Sequence, residues 1–114
     1  WKSKNRHKYL LQYHIIFVCK YRKKLLMSKQ ISDDIKQFSY EICQKHKVII
    51  RYMETDKDHI HYMIETEPTM SISKIVNLMK SYTTYHIWKR YPDYLRNISG
   101  KNILFGRTDI LSAV

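Results

Sequence analysis

"VIIRYMETDKDHIHYMIE", residues 48–65, holds two runs rich in β-branched and aromatic residues, and the way they join decides the fold. "VIIRYMET" (48–55) reads as one strand and "HIHYMIE" (59–65) as the next. Lys57 and Asp58 form a tight link, so the two runs pair as a hairpin. Successive side chains of a strand point to opposite faces. Ile60, Tyr62 and Ile64 therefore share an apolar face, while His59 and His61 share the other. Their Cα atoms should stand roughly 6–7 Å apart at a rise of ~3.3 Å per residue, a spacing from which two imidazoles can converge on one ion.

Upstream of the hairpin, "LLQYHIIFVCKY" (10–21) reads as a strand buried largely on both faces. It runs into the basic "RKKLL" (22–26), and residues 1–9 form a basic arm with Lys2, Lys4, Arg6 and Lys8. Ser28 or Ser32 is the expected N-cap of a helix with Asp33 and Asp34 in its first turn, where the dipole favours anions. Ile31, Ile35, Phe38, Ile42 and Cys43 form its apolar stripe, and it ends near Lys45–Lys47. Downstream, Pro68 closes the hairpin and Ser71 or Ser73 opens a second helix. Ile72, Ile75, Val76, Met79 and Ile87 line that helix, and Pro92 stops it. "NILFGR" (102–107) and "DILSAV" (109–114) are two short strand candidates joined around Gly106–Asp109. The order β-α-β-β-α-β predicts an α+β, ferredoxin-like or RRM-like antiparallel sheet with helices packed on one face.

A length of 114 residues fits one domain, expected to span 1–114. The 21 Lys and Arg against 10 Asp and Glu give a formal charge of +11, which favours a polyanionic partner. The longest apolar run, Ile15–Cys19, is far short of the ~20 residues a membrane span needs, so no membrane role is expected. The opening "WKSKNRHKYL" has no apolar signal core, and the expected location is the cytoplasm. Cys19 and Cys43, without metal-type spacing, are expected to be buried reduced thiols.

A lone H-x-H in a strand is more often a solvated pair than a site, so the surrounding pattern matters. "LLQYHIIFVCKYRKKLL", then "DHIHYMIE", then "SISKIVNLMKSYTTYHIWKRYP" resemble the IS200/IS605-family single-strand transposases, small Y1 members of the HUH nucleases. Tyr13-His14, Lys20-Tyr21-Arg22-Lys23, Asp58-His59-Ile60-His61 and Lys80-Ser81 hold matching positions, and "ILFGRTDILSAV" resembles the strand before the family's last helix. The resemblance covers essentially the whole chain, in order.

The resemblance implies cleavage and rejoining of single-stranded or hairpin DNA through a 5′-phosphotyrosine intermediate. His59 and His61 would be the catalytic metal ligands, with Mg²⁺ or Mn²⁺ as cofactor, and the protein would act as a homodimer. In the family, the nucleophilic tyrosine and a glutamine that completes the metal site lie on a helix after the strand matching "DILSAV". None of the ten tyrosines occupies that place, so the expected HUH domain lacks its C-terminal helix here. The carboxylates nearest the histidines in sequence are Asp56, Asp58 and Glu65. Asp58 should face away from the pair, and Glu65 should share their face. His14 matches a family position, but mid-strand it reads as a satisfied structural histidine.

For DNA contact, Lys20, Tyr21, Arg22, Lys23 and Lys24 cluster where the first strand ends. Lys80, Lys89 and Arg90 follow on the second helix, and Arg107 lies in the last hairpin link. Basic residues bind phosphates and interleaved aromatics stack unpaired bases. Competing readings are a non-catalytic RRM-like nucleic-acid module, a domesticated REP-associated transposase relative, and a plasmid Rep or relaxase nuclease domain. The RNP1 pattern of glycine with alternating aromatics is absent from the strand that carries HIH.

Overall fold

The computed structural model describes residues 10–97 and 103–113, so the basic arm at 1–9 lies outside the described residues, as do Asn102 and Val114 of the two last strand candidates. Four strands, β1 (Leu11–Cys19), β2 (Ile49–Asp56), β3 (His59–Thr66) and β4 (Phe105–Ala113), form one sheet in the order β2-β3-β1-β4. Every neighbouring pair is antiparallel. Helices α1 (Lys29–Lys45) and α2 (Ile72–Arg90) pack on one face, followed by a short α3 (Pro92–Arg96). This is the expected ferredoxin-like α+β arrangement.

The core lies between the helices and that face. Ile15, Phe17 and Cys19 of β1 meet Ile60, Tyr62 and Ile64 of β3, with Ile31, Ile35, Phe38, Ile42 and Cys43 of α1 and Ile75, Val76, Met79 and Ile87 of α2 above them. The fully buried Tyr62 hydroxyl shares a 2.7 Å hydrogen bond with Ser39 Oγ of α1, which fixes the face on which β3 is buried. Both cysteines are free and buried, and burial pushes each thiol up to about 12.

Four local expectations are corrected. The first strand is buried on one face only: Ile16 and Val18 are half-buried because helices cover just one side of the sheet. It is also an interior strand between β3 and β4, not an edge. Ser28 caps α1, its Oγ accepting the Ile31 N–H at 3.3 Å. The helix thus starts before Ser32, and Asp33 and Asp34 fall beyond its first turn. Asp33 pairs with Lys29 and Asp34 with Arg90, which ties α1 to the end of α2. Ser71 caps α2, but Pro92 does more than stop it, because a proline suits the first turn of a new helix and opens α3.

At the end of the described chain, one continuous β4 replaces the two short strands expected there. Gly106 and its neighbours make no turn. Pairing shifts from Val18↔Arg107 to Cys19↔Phe105, so Gly106 is the extra residue of an irregularity in the β1–β4 ladder. A Cβ at Gly106 would stand 3.2 Å from Lys20 Cα, a close approach that glycine permits. Among the described residues, no helix is long and apolar enough to cross a membrane.

Candidate active site

Among the described residues no helix covers the face opposite α1 and α2, and strand register arranges its side chains in rows. Asp56, His59, Val18 and Arg107 form one row across β2, β3, β1 and β4. Glu54, His61, Ile16 and Asp109 form the next, and Tyr52, Met63, His14 and Leu111 the third. His59 and His61 thus occupy the same face in adjacent rows, both half-buried.

Each histidine is held by a different neighbour. His59 Nδ1 lies 3.1 Å from Asp58 Oδ1, and Arg22 Nε donates to the other carboxylate oxygen at 3.1 Å. Asp58 was expected to face away. It belongs to the turn rather than to β3, so strand alternation does not govern it. The hydrogen bond from His59, and then Arg22, holds the Asp58 carboxyl below the usual carboxylate range. A carboxylate on Nδ1 fixes the ring and leaves Nε2 for a ligand, as in many carboxylate–histidine–metal arrangements. The turn is itself fastened, with Cys19 N–H donating to Asp58 O at 2.8 Å and Leu26 N–H to Lys57 O at 3.1 Å.

His61 turns the other way. Its Nε2 lies 3.2 Å from His14 Nδ1, and the Tyr52 ring stands edge-on to it with centroids 5.4 Å apart. His14 is thus a satisfied histidine, but the group that satisfies it belongs to the candidate site. Sequence reading missed both His14's link and Tyr52, because each depends on cross-strand register. Glu65 does share the open face, yet it accepts from Gln12 Nε2 at 2.6 Å and pairs with Arg51 Nη2 at 2.6 Å. Arg51 first, then Gln12, holds its carboxyl below the usual range. It stitches three strands together and does not approach the histidines as a partner. Among the described residues, no group of three or more His, Cys, Asp and Glu is placed to hold a metal ion. What stands here is an open pair of imidazoles that needs further donors.

Several tyrosines are unsuited to nucleophilic attack. Tyr62 is fully buried, and burial keeps its phenol protonated far above neutrality. Tyr82 donates to Glu41 at 2.8 Å and Tyr91 donates to Asp34, and both phenols are pushed up. Tyr52 contacts His61, and Tyr21 lines a cleft with His59.

The expected DNA-contacting residues divide into separate places. Tyr21, Arg22 and Arg107 line a cleft of about 350 Å³ together with Ile16, Val18, Asp58, His59 and Asp109. Lys20 reaches over the Tyr21 ring at 5.1 Å, and Lys23 and Lys24 are exposed just beyond. Tyr21 and Arg22 have φ of 58° and 56°, a left-handed backbone costing about 1–2 kcal/mol for each such residue. Lys80 and Lys89 instead line a separate cleft with Tyr85 and Trp88, between α2, α3 and residues 103–105. Arg90 is committed to Asp34 at 3.0 Å and lies over the Phe38 ring, a structural placement.

The family described as "Transposase IS200 like" matches residues 7–108. The ISDra2 transposase TnpA of Deinococcus radiodurans is 26% identical over 95 residues, 83% of this chain and 67% of that protein. The transposase for insertion sequence element IS200 of Salmonella typhimurium is 26% identical over 92 residues, 81% of this chain and 60% of that protein. In structure, the chain is similar to a candidate transposase crystallised from Deinococcus radiodurans, with a TM-score of 0.85 at 21% identity, over 100% of this chain and 87% of that one. A REP-associated tyrosine transposase bound to a REP hairpin shares the fold with a TM-score of 0.65 at 15% identity, over 98% and 62%.

Proposed function

Because the chain belongs to the IS200-like transposase family, we propose that it serves DNA transposition by binding single-stranded or hairpin DNA and helping to cleave and rejoin it. The observation that carries this reading is the bare sheet face on which His59 and His61 stand in adjacent rows, rimmed by basic residues. The RRM-like alternative loses its basis with family membership. The structural neighbour bound to a REP hairpin supports a hairpin as the DNA form. The chain spans about two thirds of one curated relative and 60% of the other, so this reading concerns the part of the reaction that these residues can serve.

His59 and His61 would hold Mg²⁺ or Mn²⁺, and the donor set fits an open site: one ring is braced by Asp58, and nitrogen ligands favour Mn²⁺ over Mg²⁺. A bound ion would polarise a non-bridging oxygen of the scissile phosphate. In the proposed step a tyrosine oxygen forms a bond to phosphorus, and the bond from phosphorus to the 3′ oxygen breaks. The tyrosine proton is lost, the departing oxygen gains one, and a 5′-phosphotyrosine and a free 3′-OH result. Lys20, Tyr21, Arg22, Lys23, Lys24 and Arg107 would hold the strand near the histidines, with Lys80 and Lys89 serving a more distant segment. A two-fold dimer would use β4, an edge strand that exposes Ile110 and Leu111. Work on DNA ends would place the protein in the cytoplasm.

The test is a gel assay for a covalent protein–DNA adduct in Mn²⁺, run on this chain alone and with a tyrosine-bearing helix joined after β4. An adduct that needs the added helix and disappears in His61→Ala supports the reading. An adduct formed by the chain alone would put the nucleophile on an exposed tyrosine such as Tyr52 or Tyr21. No adduct in either form refutes phosphotyrosine chemistry.

A further inference from the structure

We propose that the cleft between the end of β1, the Lys57–Asp58 turn and the start of β4 binds one unpaired nucleotide, its base against the Tyr21 ring and its phosphate against Arg107 and Arg22, beside His59. The inference rests on the DNA reading above and gives one site on this face a defined occupant. At about 350 Å³ the cleft lies within the range of small-molecule sites and is far too narrow for a duplex. Half-buried Ile16 and Val18 line it on the sheet side, an apolar surface suited to the flat face of a base. Tyr21 lines it as well, 74% exposed, with Lys20 Nζ 5.1 Å from its ring centroid on one face and the other face available to a base.

Three structural features serve the cleft rather than the core. The consecutive left-handed residues Tyr21 and Arg22 are unusual outside glycine, and backbone strain of this kind concentrates at functional sites. Neither side chain is buried, so core packing does not explain the strain. Gly106 lets the start of β4 close against Lys20, which brings Arg107 to the same opening. Finally, both arginines are oriented in advance. Arg22 Nε is held by Asp58 and Arg107 Nη2 by Asp109, each at about 3 Å, while the remaining guanidinium N–H groups are left for a phosphate. His59 shares the same lining, so the bound nucleotide would neighbour the phosphate at the histidine pair.

The test compares a 12-nucleotide single-stranded oligo(dT) with an abasic oligomer of equal length and charge, followed by fluorescence anisotropy without metal. The variants are Tyr21→Phe, which keeps the ring, and Tyr21→Asn, which removes it while tolerating the left-handed backbone. Tyr21→Asn should weaken oligo(dT) binding about 5- to 150-fold, the range for loss of one stacked base, and leave abasic binding within about twofold. Tyr21→Phe should bind both oligomers like the parent. Arg107→Ala should weaken both oligomers together and reduce the salt slope by about one. Equal effects of Tyr21→Asn on the two oligomers, or no effect on either, overturn the base site while leaving DNA binding intact. If the parent chain binds neither oligomer, the DNA reading itself fails and the cleft loses its ligand.

Discussion

Removing either partner of the buried Ser39–Tyr62 hydrogen bond should destabilise the protein, and removing both should cost less than the sum. The bond matters to the site because Tyr62 lies between His61 and Met63 and commits one face of β3 to the core. A slip of one residue would send His59 and His61 under the helices. Both side chains are 0% exposed, and the oxygens are 2.7 Å apart. Tyr62→Phe leaves the Ser39 hydroxyl buried without its partner, and Ser39→Ala does the same to the Tyr62 hydroxyl, each a loss of about 1–3 kcal/mol. For a chain of this size that corresponds to a fall in Tm of about 4–12 °C. The double variant buries no orphaned hydroxyl, so a favourable coupling of about 1–2 kcal/mol should remain in the cycle. Urea unfolding of the four proteins measures it. Additive losses, or a Tyr62→Phe variant as stable as the parent, would refute the claim that this bond secures the face of β3.

Three further outcomes follow from the open face. Asp58→Asn should lower Mn²⁺ affinity about 10- to 100-fold by calorimetry with the fold unchanged, because it weakens the group that fixes the His59 ring; unchanged affinity would mean that Asp58 serves Arg22 alone. Metal bound at His61 Nε2 must break the contact with His14 Nδ1, since in either tautomer that nitrogen is already used. Zn²⁺ titration of ¹⁵N-labelled protein should therefore shift the His14 ring signals together with those of His61, and an unperturbed His14 would count against Nε2 ligation. Glu65, whose carboxyl is held low by Arg51 and then Gln12, contributes stability that is present above the unfolded carboxylate pKa of about 4.3 and is lost as pH falls through its lower folded value. Glu65→Gln should flatten the acid limb of stability against pH below about 4.5, and an unchanged limb would show that the ties across β1, β2 and β3 carry no charge dependence.

The parts of the fold governed by period were legible in the sequence. Ile31, Ile35, Phe38, Ile42 and Cys43 recur at helical spacing, and Ile60, Tyr62 and Ile64 at strand spacing, and all are buried as that spacing requires. The alternation that buried Tyr62 also told which way His59 and His61 would point. What sequence could not supply was register between distant segments. That His14 meets His61, that Tyr52 stands edge-on to it, and that Gln12 reaches Glu65 depends on how β1, β2 and β3 align across separations of many residues. Asp58 departs from the expected facing because it lies in the turn, where strand alternation does not hold. Gly106 suggested a break, but its role depends on Lys20, 86 positions earlier, whose backbone it must let pass.

Charge distribution over the bare face separates two ways a basic protein can meet DNA. A surface that only neutralises phosphates gains nothing from carboxylates and loses affinity with each one. Yet of the 10 acidic residues, Glu54, Asp56, Glu65 and Asp109 lie in the rows of this face and Asp58 lies at its turn, half of the total in a protein of net charge +11. Three of the five hold arginines: Asp58 holds Arg22, Asp109 holds Arg107 and Glu65 holds Arg51. Glu54 and Asp56 hold no arginine: Asp56 accepts the Lys57 N–H at 2.8 Å, and the two acids are paired in register with His61 and His59 of β3. A carboxylate facing each histidine raises the negative potential where a phosphate would have to approach, which is unfavourable unless a cation lies between them. On the proposed reading the face would be an acidic, imidazole-bearing centre inside a basic rim, and a phosphate would reach the histidines through a bound divalent ion. Neutralising both acids, Glu54→Gln with Asp56→Asn, should tighten metal-free binding of single-stranded DNA and weaken Mn²⁺ binding at the same time. If the two affinities move in the same direction, the face is a phosphate-binding surface alone.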